Sequence, residues 1–190
     1  MHEVSRKNQI TNVFEYGHKH VLDSLEKFTN KTFNLKMLDA RSFCKNKIRE
    51  VIGSFSLGSD LTLFKTEIIG DVFGKSYWLV DNHARKYITN TDNNNQVSID
   101  FSYEMLREVD NIISAALISQ LSNRFSLEIY GDVPELVMPE LKPLEEIIEK
   151  DFIKSRENLF LYLVEFQIEE SPNAKCLFFW CVEEHKLIEG

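Results

Sequence analysis

The stretch that decides the fold is residues 103–123, YEMLREVDNIISAALISQLSN. Placed on a helix at about 100° per residue, it separates into an apolar face and a polar stripe. The polar stripe consists of Glu108, Asn111 and Ala115, all within about 40° of Glu104. The apolar face gathers Leu106, Val109, Ile113, Ala116, Leu117 and Gln120. The spacing therefore predicts one long helix that packs on a core and presents a carboxylate and a carboxamide side by side on its outer face.

The order of elements around this helix occurs twice along the chain. In the first half, the apolar spacing predicts a helix over about 9–28, then a polar turn and an alternating strand that begins at Phe33. In the second half, the helix described above is followed by a polar turn and an alternating strand over 125–129. The two halves, about 8–89 and 101–186, therefore predict two helix-plus-strands units packed as one pseudo-symmetric domain.

Further strands are predicted in each half. The first pair is joined by Gly70-Asp71-Val72-Phe73-Gly74, a hairpin signature with glycine at both ends, and the second pair by Ser171-Pro172-Asn173. The predicted strands cover 61–69, 75–80, 159–169 and 175–182, and two further helices cover 82–88 and 141–154. The asparagine-rich stretch 90–96 predicts an exposed connection.

Length and composition fit a single domain over residues 1–190, because 43% of the residues are hydrophobic and 27% are charged. The formal net charge of −8 repels phosphate backbones and anionic membrane surfaces. We therefore expect neither nucleic acid nor a membrane as a partner. The longest apolar runs fall short of the roughly 20 residues of a membrane helix, and the first residues lack the apolar region of a signal peptide, so we expect a cytoplasmic protein.

The sequence offers little for metal or nucleophile chemistry. His18 and His20 lie about 200° apart on a helix and cannot bind one metal ion from one face, so no metal site is expected. Three cysteines cannot form a disulfide framework. Cys176 and Cys181 are predicted on opposite faces of one strand, as small buried hydrophobic residues.

A spaced motif in the central helix resembles the signature of a known family. Glu104-x3-Glu108-x2-Asn111-x22-Pro134 is similar to the motif of the CheC/CheX/FliY chemotaxis phosphatases, which is Asp or Ser, three residues, Glu, two residues, Asn, twenty-two residues, Pro. The turn Gly70–Lys75 also resembles the Gly-Asp-x-x-Gly turn of these proteins. The similarity extends over most of the chain, and it is closest to CheX.

The resemblance implies a fold and an activity. The fold would be the pseudo-symmetric CheC-like α/β (α+β) fold, an antiparallel sheet packed against long helices from an internal duplication. The activity would be hydrolysis of the aspartyl phosphate of a CheY-like response regulator. Phosphoryl transfer depends chiefly on positioning and charge stabilisation, so two side chains can suffice when the receiver domain supplies the metal and a lysine.

The resemblance also implies roles for individual residues. Glu108 would dock on the receiver's lysine, and Asn111 would place a water molecule in line with the acyl phosphate. Glu104, Ala115 and Pro134 would belong with them to the partner-binding surface. The protein would need no cofactor of its own, with Mg²⁺ expected on the response regulator.

The first helix carries only a degenerate counterpart of the motif. Aligning Leu25 with Leu121 puts Asn12 and Glu15 where Glu and Asn would be required, so the pair occurs in swapped order. No proline precedes Pro134 in the chain. We therefore expect one active site, in the second half, as in CheX, and by analogy with CheX a homodimer.

Two positions depart from the family pattern. Glu104 stands where the family has Asp or Ser, and Asp110 replaces a small residue before Asn111. On the helix Asp110 lies at about 240° from Glu104, beside the core face, so it is expected to affect packing more than docking. The alternative to a phosphatase is a non-catalytic scaffold that binds receiver domains in a two-component or chemosensory pathway.

Overall fold

One seven-stranded sheet holds the described part of the molecule together. The structure is a computed structural model that describes residues 2–54, 61–91, 99–137, 143–155, 158–184 and 187. In chain order the elements are α1 (His2–Thr29), β1 (Phe33–Cys44), a 3-10 turn (Lys45–Lys47), α2 (Ile48–Gly53), β2 (Leu61–Gly70), β3 (Gly74–Asp81), α3 (Asn82–Thr89), α4 (Ile99–Phe125), β4 (Ile129–Gly131), β5 (Glu135–Val137), α5 (Leu144–Asp151), β6 (Asn158–Ile168) and β7 (Cys176–Glu183).

The strands run in the order β1-β6-β7-β3-β2-β4, and β5 also pairs with β2. Every pairing is antiparallel. The hairpin β2–β3 and the strands β6 and β7 fall where the alternation predicts them. The α/β fold, an antiparallel sheet with long helices, is therefore confirmed.

Two apolar cores lie on opposite faces of the sheet. Trp78 and Trp180 belong to the larger core, against α1 and α4. Tyr77 and Phe179, their neighbours in the strands, belong to the smaller core, against α2 and α5. Cys176 lies in the first core and Cys181 in the second, which confirms their predicted placement on opposite faces of β7.

The strand predicted over 125–129 is wrong in its extent. The helix α4 continues through Phe125, and the strand β4 covers only Ile129–Gly131. The residue after the helix, Ser126, has a left-handed φ of 54°, and the Leu127 N–H donates to the Ser122 carbonyl at 3.1 Å. The alternating apolar residues after Asn123 thus serve the last turn of a helix and its cap.

The helix α2, which covers the second face of the sheet, was not predicted from the sequence. The helix predicted over 141–154 is observed as Leu144–Asp151, and residues 141–142 lie outside the described residues. Of the connection predicted over 90–96, only 90 and 91 are described, as a turn. The repeat boundaries 8–89 and 101–186 stay a prediction.

Candidate functional site

The helix α4 is held firmly by its apolar face. Leu106, Val109 and Ile113 are fully buried against the sheet. The helix α1 approaches α4 closely because Gly17 has no side chain: a Cβ there would lie 2.9 Å from Leu117 Cδ2. A side chain on the outer face of α4 is therefore mounted on a rigid element.

The outer face carries the predicted stripe. Glu104, Glu108, Asn111 and Ala115 are all exposed, on successive turns of α4. The helical spacing therefore separates exposed from buried positions as predicted. The carboxylate of Glu108 and the carboxamide of Asn111, three residues apart, share one surface and point away from the core.

Asp110, one residue before Asn111, is fully buried. Its Oδ2 accepts a hydrogen bond from Thr66 Oγ1 of β2 at 2.6 Å, and no partner for its Oδ1 is found among the described residues. Burial raises the pKa of Asp110 from 3.8 to about 7, against the opposing effect of the Thr66 hydrogen bond. Its place on the core side of the helix confirms the prediction from the helical spacing.

Pro134 is buried in the segment that faces β2. It lies between β4 and β5, which both pair with β2, so the segment 132–134 leaves the ladder opposite Thr66 and Glu67. The Asp132 N–H donates to the Glu67 carbonyl at 2.9 Å, and proline has no N–H to leave unpaired. Thr66, which lies opposite this segment, bonds Asp110, the residue next to Asn111 in α4.

Arg107 was not predicted as part of the site. Its Nη1 donates to Glu104 Oε1 at 2.7 Å, its side chain is 35% exposed, and its Nε is buried with no partner among the described residues. Residues 104, 107, 108 and 111 follow the i, i+3, i+4, i+7 spacing of one helix face. The spacing in the sequence is the signal that places Arg107 next to the predicted stripe.

The first-half counterpart lies on another surface. Asn12 and Glu15 are exposed on α1. Asn12 borders a groove of about 450 Å³ between α1 and the last turns of α4, lined by Gln9, Asn12, Val13, Tyr16, Gln120, Asn123 and Arg124. The structure therefore does not bring Asn12 together with Asn111.

A cluster of charged side chains lies on the opposite face of the sheet, next to α5. Tyr77 donates its hydroxyl to Asp151 Oδ2 at 2.9 Å, and Lys65 Nζ lies 3.4 Å from Asp151 Oδ1. Lys75, whose side chain is 9% exposed, pairs with Glu67 at 3.4 Å between Nζ and Oε1. Burial, aided by the Asp151 charge, raises the pKa of Tyr77 well above its ordinary value. These groups pair with one another and fasten α5 to the sheet.

The two histidines predicted not to share a metal ion have different surroundings. His18 Nε2 lies 2.5 Å from the Tyr162 hydroxyl, and burial lowers the pKa of His18 to about 4, whereas His20 is exposed. Within the part of the chain that the structure describes, no three His, Cys, Asp or Glu side chains are grouped to hold a metal ion. None of the helices described is long and apolar enough to cross a membrane.

Comparison with known proteins finds similarity in structure. No family model and no curated protein matches the sequence. The structure of Thermotoga maritima FliY superposes with a TM-score of 0.67 at 13% identity, over 97% of this chain and 92% of that one. The FliM middle domain from H. pylori gives 0.65 at 8% identity over 97% of both chains. The chemotaxis protein CheX from Desulfovibrio desulfuricans gives 0.59 at 12% identity, over 90% of this chain and 99% of that one.

These similarities bear on the resemblance that the residues first indicated. They extend over nearly all of each chain, although only 8–13% of the aligned residues are identical. The resemblance to the CheC/CheX/FliY family is therefore confirmed at the level of the fold, and the chain has the fold that FliY, CheX and the FliM middle domain share.

Proposed function

We propose that this protein is a chemotaxis-type phosphatase that hydrolyses the aspartyl phosphate of a CheY-like response regulator. The observation that supports the proposal best is the exposed pair Glu108 and Asn111 on α4, in the spacing of the family motif and on a chain with the family fold. The partner-binding surface that we propose consists of the exposed residues Glu104, Glu108, Asn111 and Ala115, together with Pro134, the last residue of the motif, which is itself buried.

In this reaction the chain positions the receiver and a water molecule and supplies no nucleophile of its own. Glu108 pairs with the receiver's lysine and fixes the helix over the acyl phosphate. Asn111 donates and accepts hydrogen bonds through its carboxamide and holds a water molecule in line. The water oxygen bonds to phosphorus, the acyl P–O bond breaks with its electron pair moving to the receiver's aspartate, and inorganic phosphate leaves with the water's oxygen and both of its protons. Mg²⁺ held by the receiver would stabilise the charge on the phosphoryl oxygens, and this chain would need no cofactor of its own.

The same proposal includes a cytoplasmic homodimer. The strand β1 lies at one end of the strand order and pairs only with β6 among the described strands. Met37 and Leu38, at an irregularity in that pairing, are exposed apolar side chains. A second copy of the chain is the partner we propose for this edge.

The alternative is a scaffold that binds a receiver domain without hydrolysis. Its support is that two similar structures are complexes: one of FliG with FliM and one of FliM with SpeE, both from H. pylori. The fold thus also occurs in proteins solved as binding partners. The two functions differ in whether the phosphorylated receiver decays faster when it is bound.

The test is the decay of a phosphorylated CheY-type receiver from the same genome, with and without the protein. We expect faster decay with wild type. Asn111→Ala should lower this acceleration about 100-fold or more while the receiver still binds. Glu108→Ala should weaken both binding and hydrolysis, because a charge-assisted docking contact is worth about a tenfold change in affinity or more.

Asn123→Ala is the matched control. It removes the same side chain from an exposed position on the same helix, next to the remote groove, and should leave the decay unchanged. If Asn111→Ala hydrolyses as fast as wild type, the phosphatase assignment is wrong. If wild type binds the receiver without accelerating its decay, the scaffold is the better description.

A further inference from the structure

The polar stripe of α4 is electrostatically mismatched to its proposed substrate. Glu104 and Glu108 are exposed carboxylates in a chain of net charge −8. A phosphoryl group carries roughly −1.5 to −2 charges near neutral pH. Like charges brought together in a closed interface repel, so a cation on this face, in addition to the lysine and Mg²⁺ of the receiver, would lower the repulsion between the stripe and the phosphoryl group.

The helix α4 has two arginines, Arg107 and Arg124, and only the first lies on the stripe. By helical spacing Arg124 is about 200° from Glu104, on the other side of the helix, whereas Arg107 is only about 40° from Asn111. Residues four apart on a helix have Cβ atoms about 5–6 Å from each other, so Arg107 and Asn111 are neighbours on one surface.

The setting of Arg107 suits a guanidinium that changes partner. Its Nη1 is bonded to exposed Glu104, a contact that solvent weakens, and its Nε has no partner among the described residues. The partly buried stem anchors the side chain at the edge of the stripe that faces the sheet, one turn from the Asp110–Thr66 contact. The guanidinium is therefore positioned by an exposed contact with Glu104 that a more strongly bound anion would replace.

We propose that Arg107 is a catalytic residue that contacts the phosphoryl group of the docked receiver. The inference rests on the proposed function. The planar guanidinium donates two parallel hydrogen bonds to phosphoryl oxygens and leaves Glu104 as it does so. It stays protonated throughout and stabilises charge on the phosphoryl oxygens while Asn111 places the attacking water. Discrimination between phosphorylated and unphosphorylated receiver would then lie in this side chain.

The test measures binding and hydrolysis separately. The binding probe is a CheY-type receiver with Mg²⁺, loaded or not loaded with beryllofluoride, whose BeF₃ group stands in for the phosphoryl group. Arg107→Gln should reduce the preference for the loaded receiver about tenfold and leave affinity for the unloaded receiver unchanged, because only the charge-assisted contact is lost. It should also lower the hydrolysis rate at saturating protein by about tenfold or more.

Two further variants complete the design. Arg107→Lys keeps the charge and should restore most of the preference for the loaded receiver but not the full hydrolysis rate, because the bidentate geometry is lost. Arg124→Gln removes the same charge from the same helix and should change neither measurement. Circular dichroism of Arg107→Gln checks that the helix is intact.

The outcomes separate this inference from the proposed function. If wild type hydrolyses and Arg107→Gln keeps both its preference and its rate, the role of Arg107 is wrong and the phosphatase proposal stands. If wild type does not hydrolyse but Arg107→Gln loses the preference for the loaded receiver, the phosphatase proposal is wrong and the phosphoryl contact is supported. Equal binding of loaded and unloaded receiver by wild type overturns the contact.

Discussion

The two long helices contact the sheet at equivalent places with opposite chemistry. At the offset that aligns Leu25 with Leu121, Phe14 of α1 corresponds to Asp110 of α4, and Thr66 of β2 corresponds to Tyr162 of β6. At α1, the ring of Phe14 stacks on the ring of Tyr162 with centroids 4.2 Å apart. At α4, the corresponding helix-to-strand contact is a hydrogen bond from Thr66 to the buried carboxyl of Asp110.

This difference lies next to the difference in surface chemistry. The helix with the aromatic contact has a degenerate motif on its outer face, and the helix with the polar contact carries Glu108 and Asn111. A buried carboxyl with one oxygen unpartnered among the described residues stabilises the fold less than stacked rings do. The helix with the candidate site therefore has the less stabilising contact directly beneath it, a pattern common at functional regions.

The largest expected effect is the loss of stability when the aromatic contact of α1 is removed. Phe14→Ala should lower the free energy of unfolding by about 3–5 kcal/mol, because it opens a cavity beneath Tyr162 in a tightly packed core. Denaturant titration measures the change, and Phe28→Ala, which truncates an exposed ring of α1, is the matched control. A loss of less than about 1 kcal/mol would mean that the stacked contact adds little to stability.

The second effect concerns the polar contact of α4 and the pH dependence that Asp110 gives to the stability of the protein. Because the pKa of Asp110 is raised to about 7, the folded protein holds a proton that the unfolded chain releases near pH 4, so this group's contribution to stability falls as pH rises from about 4 to 7. Asp110→Asn has no such group. The free energy of unfolding of Asp110→Asn minus that of wild type should therefore increase between pH 5 and pH 8, by about 2–4 kcal/mol.

Unfolding free energies of both proteins at the two pH values check this sign. Tyr87, whose pKa is raised to about 12, titrates above the window and does not interfere. A difference between the proteins that stays constant from pH 5 to pH 8 would contradict an unusually high pKa for Asp110.

The smallest expected effect concerns the outer face of α1. Asn12→Ala should change receiver decay by less than about twofold, because Asn12 faces a groove away from Pro134 and from the turn that carries Asn111. The decay assay with Asn111→Ala as the positive control measures it. A loss comparable to that of Asn111→Ala would place a second site on α1 and remove the functional contrast between the halves.

The sequence predicted α4 and its stripe well because helical spacing is a local property. It also placed Asp110 on the core side, but not its bond to Thr66, since a contact between distant residues leaves no periodic signal. The second apolar core was missed, although β3 is buried along almost its whole length and therefore needs cover on both faces. Arg107 was overlooked because an i, i+3 pair with Glu104 looks like an ordinary surface ion pair.

The break in the ladder at 132–134 also bears on aggregation. An uninterrupted sheet edge invites strands of other molecules, and proline, which lacks an N–H, is one of the devices that prevent it. The edge formed by β4 and β5 consists of two three-residue strands with Pro134 between them. Pro134 and the two short strands thus make that edge a poor template for fibre growth.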